Sequence, residues 1–534
     1  MNRRPFPLAL FALVLSLVLV SGTALAQTPK RGGTLRVSYG NEIANLDFHT
    51  APGYEMMWVA MNVGCGLVNI TPDGKFVGDA AESWQVSSDN LTYTFKLRPN
   101  VLFHDGTPVD ATAVKFSIDR LMDPATKSGM RPFYEPVHSV EVLDPRTVQV
   151  RLKQPYAFFL HMLAAYRTGL VLYSPTATAK YSLEDRKQGK PGAVVGCGPF
   201  RLVEWVKGGH LVMERFDKYF VPGLPYLDRV VIRVIKDPVT EMAAFKAGEI
   251  DFIASFSPEH VDTLKAQNPN AVIMTGKETT PMLAAMKVTV PKDGKPMSAE
   301  RAPHPIFGDL RVRKAIGCYG IDRQEIVKIA FKGKATPWVG MNPPGTLDTV
   351  DVNSMCPYDQ AKAKALLAEA GYGPSKPLTF ELMADTEKSV FNVIATVIKE
   401  QMARLGVTAN IRLVDKVTWM NSTLQDGPWD MYVEDLLSLI TLDSNAYLSN
   451  SASVWSHPRH NDKRVDELYA RYAREMNATK RKAIAKEIQE FFVENMYWNN
   501  ISGSPFYMVA QPWMKGYTYN AEFEVHYDGV WLDK

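Results

Sequence analysis

The sequence predicts an α/β protein with more than one domain. At 534 residues it is too long for a single hydrophobic core, and two or three domains are expected. Residues from about 69 to 190 read as a β-rich unit with a few helices. From about residue 283 onward, helical and strand patterns alternate, as in an α/β domain.

The elements follow in order. Arg3 and Arg4 precede an apolar run from Leu8 to Val20, closed by Ala24-Leu25-Ala26, the layout of a secretory signal peptide. The run is short of the roughly 20 apolar residues a spanning helix needs. Residues 1–26 are therefore read as a cleaved leader of the general secretory route, with the twin-arginine route as the alternative, and the mature chain as periplasmic. Gln27 follows the cleavage site where a lipoprotein carries cysteine, so no lipid anchor is expected.

Gly32–Ser38 reads as a glycine-led strand followed by the loop Asn41–Asp47. Leu91, Tyr93, Phe95 and Leu97 alternate with polar residues in a half-buried strand. Asp105-Gly106 marks a turn, and Asp110 caps a helix carrying Val114, Ile118 and Leu121 that ends at Pro124. Val140 and Val142 face Val148, Val150 and Leu152 across a hairpin turn. Strands at 230–235 and 251–253 flank a helix over 240–247. Later helices run from Asp359 to Gly371, from Ser389 to Gly406 with Val390, Val393, Ile394, Val397 and Ile398 inward, and from Thr479 to Met496.

Removing 26 of the 534 residues leaves 508, and losing two arginines lowers the formal charge from +3 to +1. A near-neutral chain without a basic block lacks the concentrated cationic surface that nucleic acid demands. Cys65, Cys197, Cys318 and Cys356 form no CxxC pair, which excludes a zinc ribbon or thioredoxin-type site. In an oxidising compartment Cys318 and Cys356, close in sequence, are candidates for a disulfide; Cys65–Cys197 is a weaker pairing, and buried thiols are the alternative. There is no HExxH, no GxSxG and no P-loop, so neither an enzyme nor a cofactor is expected. A carboxylate-pair hydrolase, which has no sequence spacing, is kept as an alternative. His457-Pro458-Arg459-His460 with Asp462 offers metal-ligand types, but the proline breaks any helix that would align them. It reads as a surface loop, and no metal site is assigned. Arg311 and Arg313 beside Asp309 and Asp322 read as surface or inter-helix ion pairs.

Several blocks together resemble the family 5 solute-binding proteins of ABC importers, the peptide, opine and nickel type. They are Gly32-Gly33-Thr34-Leu35 with Leu46-Asp47, Thr92–Arg98 after Trp84, Val101–Val109, Phe116–Arg120, and Gly198-Pro199-Phe200 after Cys197. Gly248–Asp251, Arg311–Ile316 with Ile321-Asp322-Arg323, and Ala361–Tyr372 complete the set. The resemblance implies a large, three-subdomain, two-lobed periplasmic-binding-protein fold hinged on two strand crossings. Lobe I would comprise 27–280 and 505–534, with 69–190 as its β-rich subdomain, and lobe II would comprise 281–504. The protein would be a monomer that encloses a peptide or peptide-like solute by lobe closure and delivers it to an ABC permease. Opine, sugar or metal-chelate cargo, and a chemoreceptor or chaperone-like role, are the alternatives.

The resemblance also nominates ligand contacts. In peptide-binding members an aspartate of the late segment pairs with the peptide amine; here that position falls on Leu439 or Ile440, and the acid is lost. Glu434 and Asp435, slightly upstream, are the candidates to receive a cationic group instead. Trp419 corresponds to an aromatic side wall; its removal is expected to weaken binding and leave unliganded stability nearly unchanged. Asn41 and Glu42 belong to a loop at the cleft floor, and Tyr54 and Trp58 are further aromatic candidates.

Overall fold

A computed structural model of the chain describes residues 28–50, 54–71, 73–164, 170–295, 298–386, 388–436, 446, 449–451, 456–518 and 525–534. The expected leader lies outside them, as do the Leu439 and Ile440 positions. No helix among the described residues is long and apolar enough to cross a membrane.

The backbone of the fold is an eleven-stranded sheet among the described residues. From edge to edge it runs Thr408–Val414, Thr379–Asp385, Met431–Asp435, Val272–Met286, Asn500–Ala510, Phe252–Phe256, Thr34–Tyr39, Arg229–Val234, His210–Arg215 and Phe200–Val206. Thr336–Pro337 adds to Asn500–Ala510 as the remaining strand. Thr34–Tyr39 pairs in parallel with Arg229–Val234 and Phe252–Phe256. Thr379–Asp385 pairs in parallel with Thr408–Val414 and Met431–Asp435. Parallel neighbours need long crossovers, and the helices Pro238–Lys246 and Ser389–Arg404 lie within two of these connections.

Two antiparallel strands tie the groups together. Val272–Met286 and Asn500–Ala510 pair from Val272 opposite Ala510 to Leu283 opposite Asn500, with register shifts between Thr275 and Glu278, Glu278 and Thr280, and Met282 and Leu283. Both boundaries suggested by the resemblance, 280/281 and 504/505, fall inside these strands.

Side-chain alternation divides the sheet into two faces. On one face Leu35, Val37, Tyr39, Phe252, Ala254, Leu283, Ala285, Met383 and Tyr432 join a single core spanning the sheet. On the other, two cores stay separate. Ile253 and Val509 pack with Phe245 and Leu264, whereas Met282, Ala284, Leu382, Met431 and Val433 pack beneath Ile394, Ile398 and Met402.

The β-rich unit is a four-stranded antiparallel sheet in the order Ala81–Val86, Thr92–Leu97, Thr147–Leu152, Val137–Asp144. Tyr93, Phe95 and Leu97 are buried alternately, and Val140 faces Val150 as Val142 faces Val148. Asp110 caps the helix Ala111–Met122 by accepting from the Ala113 N–H at 2.9 Å. Cys65 is bonded to Cys197 and Cys318 to Cys356. The glycines around Cys197 have a steric reason: a Cβ on Gly196 would lie 2.0 Å from the Val63 carbonyl oxygen, and one on Gly198 2.6 Å from those of Asn62 and Gly64.

Some local expectations need correcting. The helix expected over 240–247 starts at Pro238, because Asp237 caps it and proline suits its first turn. Val393 is 38% exposed, and the buried face of its helix is Phe391, Ile394, Ala395, Val397, Ile398, Gln401 and Met402, whose members recur three and four residues apart. Arg313 is not a surface ion pair. It is buried and donates to the carbonyls of Phe307, Gly308 and Asn495, while Arg311 does pair with Asp309 at 2.6 Å.

The β-rich unit also touches the C-terminal helices Lys463–Arg474 and Ala478–Asn495. The Ala157 N–H donates to the Ala473 carbonyl at 2.8 Å, Phe158 stacks on Tyr472 at 5.2 Å, and the Arg481 guanidinium lies 5.2 Å over the Phe158 ring.

Candidate functional site

Asp415 caps the helix Lys416–Leu424 by accepting from Thr418 N–H, and the helix places Lys416 and Trp419 one turn apart on a shared side. The Lys416 ammonium sits 4.5 Å from the centroid of the Trp419 ring, a cation–π distance. Trp419 packs edge-on against Tyr432, with centroids 5.4 Å apart, and Trp429 packs edge-on against the same tyrosine at 4.8 Å. Neither indole N–H finds an acceptor among the described residues, although both are buried.

The sheet supplies the acids. Met383 of Thr379–Asp385 lies beside Tyr432 of Met431–Asp435, so two residues further along the same face come Asp385 and Glu434. The Lys416 ammonium reaches both carboxylates, at 3.1 Å to Asp385 and 2.9 Å to Glu434. Asp385 and Glu434 are almost completely buried, whereas Lys416 keeps 36% of its side chain exposed. Asp435 turns to Lys388 at 2.5 Å. Burial, with the adjacent Asp435 charge, pushes the Glu434 carboxyl well above the usual carboxylate range. Burial pushes Asp435 the same way, but the Lys388 ammonium and the hydrogen bond it makes hold that carboxyl below its ordinary value.

Sequence reasoning thus found Trp419, Glu434 and Asp435, which the structure brings together, but missed Asp385, Lys416 and Lys388. Lys416 and Trp419 carried a weak signal in their one-turn spacing. Asp385 gave none, because its partner is set by strand register. Trp419 is only 6% exposed and holds Tyr432 in place, so the expectation that its loss leaves stability unchanged is corrected.

The other candidates lie elsewhere. The Asn41 amide donates to Glu55 Oε1 at 2.9 Å. Glu42 Oε1 is buried without a hydrogen-bond partner among the described residues, and its Oε2 lies near the turn at Gly208. No hydrogen bond or ion pair among the described residues links Asn41 or Glu42 to the Trp419 group. Tyr54 begins the helix Tyr54–Val63, and its side chain lies outside the described residues. Trp58 is buried edge-on to Tyr39 at 4.9 Å.

The His457–His460 turn is corrected from surface loop to buried segment. His457, Arg459 and His460 are all less than a tenth exposed. His457 Nδ1 shares a hydrogen bond with the Tyr432 hydroxyl, and the His457 ring packs edge-on to Trp498. His460 Nε2 bonds the Ser449 carbonyl at 2.5 Å, and the ring stacks on Tyr497. Burial holds His457 down at about 3 and His460 at about 4, so both are neutral at ordinary pH. Their rings serve the aromatic wall behind Tyr432. No group of three potential metal ligands occurs among the described residues.

His104 is likewise structural. Its Nε2 meets the Gly198 carbonyl at 3.0 Å, and burial lowers it to about 4. Asp105 instead orders the turn, accepting from Thr107 N–H and from the Ser174 hydroxyl.

Comparison with known proteins follows this geometry. Residues 75–456 match the middle region of the bacterial extracellular solute-binding proteins, family 5. The glutathione-binding protein GsiB of Shigella flexneri is 33% identical over 379 residues, covering 71% of this chain and 69% of that protein. The oligopeptide-binding protein AppA from Bacillus subtilis, solved with a nonapeptide, superposes with a TM-score of 0.80 at 22% identity, covering 95% of this chain and all of that one. AgaA of Agrobacterium tumefaciens, solved with agropinic acid, gives 0.79 at 25% identity over 94% and 99% of the two chains.

Proposed function

We infer the role of this chain from one premise: it belongs to the bacterial extracellular solute-binding proteins, family 5. It is the substrate-binding component of an ABC importer, and it captures a small organic solute, peptide or peptide-like, between two closing lobes. It then presents the cargo to a membrane permease. It acts in the periplasm as a monomer, after loss of residues 1–26, and performs no chemistry on its cargo.

The observation that carries this reading is the Trp419–Lys416–Glu434–Asp385 group. It combines a flat aromatic wall, an exposed ammonium and buried carboxylates on the sheet face whose core spans the molecule. Such a group binds and orients a polar solute. It offers no nucleophile–base pair for turnover. Lobe I is 27–280 with 505–534, and lobe II is 281–504. The paired strands Val272–Met286 and Asn500–Ala510, with their register shifts near Thr275–Thr280, form the hinge. Trp419, Glu434 and Asp435 belong to lobe II, and Asn41, Glu42 and Tyr54 are the candidates from lobe I. The relatives handle glutathione, an oligopeptide and an opine, and a peptide-like solute with a cationic group suits the acidic lobe II wall.

The test is native mass spectrometry of protein taken undenatured from the periplasm, followed by thermal shift against peptides, glutathione, opines and sugars. A ligand at one hundred times its Kd stabilises by about 2.7 kcal/mol. Absence of any retained mass and of any stabilising solute would overturn the reading. Phe158→Ala, which strips the Tyr472 and Arg481 contacts, should weaken affinity a few-fold by loosening the closed state, measured by calorimetry.

A further inference from the structure

His161 lies on the short helix Phe159–Met162, where the β-rich unit meets the C-terminal helices. Its ring packs edge-on to Phe76 at 4.8 Å and tilts against Phe158 at 5.9 Å. Phe158 makes the contact with the other side: Tyr472 stacks on it at 5.2 Å, and the Arg481 guanidinium lies 5.2 Å over its ring. A titratable imidazole thus stands one aromatic ring away from a cation that belongs to the opposite lobe.

That cation is held in place. Asp348 Oδ2 accepts from Arg481 Nε at 3.2 Å and from the Tyr472 hydroxyl at 2.7 Å, and the Glu475 carbonyl accepts from Arg481 Nη1 at 3.4 Å. The Arg481 side chain is 12% exposed and that of Asp348 7%, so solvent screens the guanidinium poorly. A second positive charge on His161 would face it with the same sign across Phe158.

The surroundings of the imidazole are otherwise apolar or neutral. Phe76 and Phe158 pack on the ring, Tyr472 stacks on Phe158, and the Tyr134 hydroxyl donates to the Met162 carbonyl of the same short helix. Among the described residues Arg481 supplies the charge that acts on His161, and Asp348 is engaged with Arg481 and Tyr472. His161 Nδ1 is buried without a hydrogen-bond partner among the described residues, so no acceptor there rewards a proton. Burial and the Arg481 charge together hold the imidazole down at about 4, which keeps it neutral while the two sides touch.

We propose that His161 is a proton-operated latch: the lobes close over its neutral imidazole, and they part as it takes up a proton opposite Arg481. Opening binds one proton from solvent at the imidazole, and closure returns it. With the C-terminal helices withdrawn, the Arg481 charge is gone and the imidazole moves back towards its ordinary value near 6.5. A group lowered in the closed state favours closure fully above 6.5, and that contribution is lost as pH falls towards 4. The closed state holds the cargo, so affinity is highest at neutral pH and weakens in acid.

Lobe closure is taken from the functional reading above, and the experiment separates the two. Reduced glutathione and tri-L-alanine, whose amino and carboxyl groups keep nearly constant charge between pH 5 and pH 7, are titrated calorimetrically into the full mature protein at both values. Wild-type affinity should be about tenfold weaker at pH 5, and that of His161→Gln at most about threefold weaker. Other acids and histidines titrate alike in both proteins, so the difference between the profiles belongs to His161. Carbon-13 NMR of the histidine rings in wild type makes the same test without a variant: one imidazole should titrate near 6.5 in the empty protein and well below it with probe bound. Parallel profiles for wild type and His161→Gln overturn the latch, as does the absence of an imidazole whose titration moves on binding; each leaves solute capture standing. If neither probe nor any other small solute binds, the functional reading fails and the latch with it.

Discussion

Asp47 and Glu434 are both withdrawn from water, yet the first is held by two buried arginines and the second by a lysine that stays partly exposed. Asp47 Oδ2 receives Arg120 at 2.5 Å and Arg186 at 3.0 Å, and its Oδ1 accepts the His49 N–H. The Arg120 guanidinium also lies 4.8 Å over the Tyr173 ring, and Arg186 donates to the Tyr181 carbonyl. All three charged side chains are at most 7% exposed, so the early loop is fastened to two distant helices by a closed centre. Glu434 and Asp385 share one lysine that stands partly in solvent. Buried arginines close the first centre, whereas the ammonium of the second stays within reach of solvent. Burial of the acids does not separate the two, but exposure of their cations does.

The largest expected effect falls on the closed centre. Asp47→Ala leaves two buried guanidiniums unanswered and should cost about 3–5 kcal/mol in denaturant unfolding. A loss under 1 kcal/mol would erase the contrast. Next comes Trp419→Ala, which opens a cavity against Tyr432 and should cost roughly 3 kcal/mol along with most of the ligand affinity. Trp419→Phe should recover much of the stability but not the affinity, a split read by paired melting and calorimetry.

Glu434→Gln sharpens the comparison from the other side. Glutamine mimics a protonated glutamate, so stability at pH 7 should change by no more than about 1 kcal/mol. A loss as large as that of Asp47→Ala would make Glu434 a second structural ion.

The broadest effect is on acid stability. His49 and His457 are lowered to about 3, and His104, His161 and His460 to about 4, each chiefly by burial. For groups lowered on folding, the contribution is present above the ordinary histidine value near 6.5 and is lost as pH falls through the folded values. Asp79 and Glu241 oppose this. Burial raises both to about 7, so their contribution is present at low pH and lost as pH rises through 7. Burial raises Glu278 and Glu434 as well, and with five histidines against these four acids the thermal midpoint should fall from pH 6.5 to pH 4. Glu241→Gln, which keeps the contact with Ser38, should raise the midpoint slightly at pH 8 alone.

Much of the fold was legible because its signals are local. Asp110, Asp359 and the alternation over 91–97 specify a cap or strand face within a few residues. The candidate site was legible only in part. Trp419 and Glu434 stood out as residue types matching the family resemblance, whereas Asn41 and Glu42 pointed to a loop with no hydrogen bond or ion pair to them among the described residues. The His457–His460 turn misled because a polar, proline-broken stretch looks solvated, yet Tyr432, Trp498 and Tyr497 cover it.

The chain by itself determined its caps, strand alternation, helical stripes and family blocks, since each depends on neighbours in sequence. Tertiary structure decided that Asp385 and Glu434, 49 residues apart in the chain, meet over one lysine, and that Asp47 gains two arginines from remote helices. Charge balance at a buried point is a sum over long-range contacts. Strand register and helix packing fix that sum, and no local pattern encodes it.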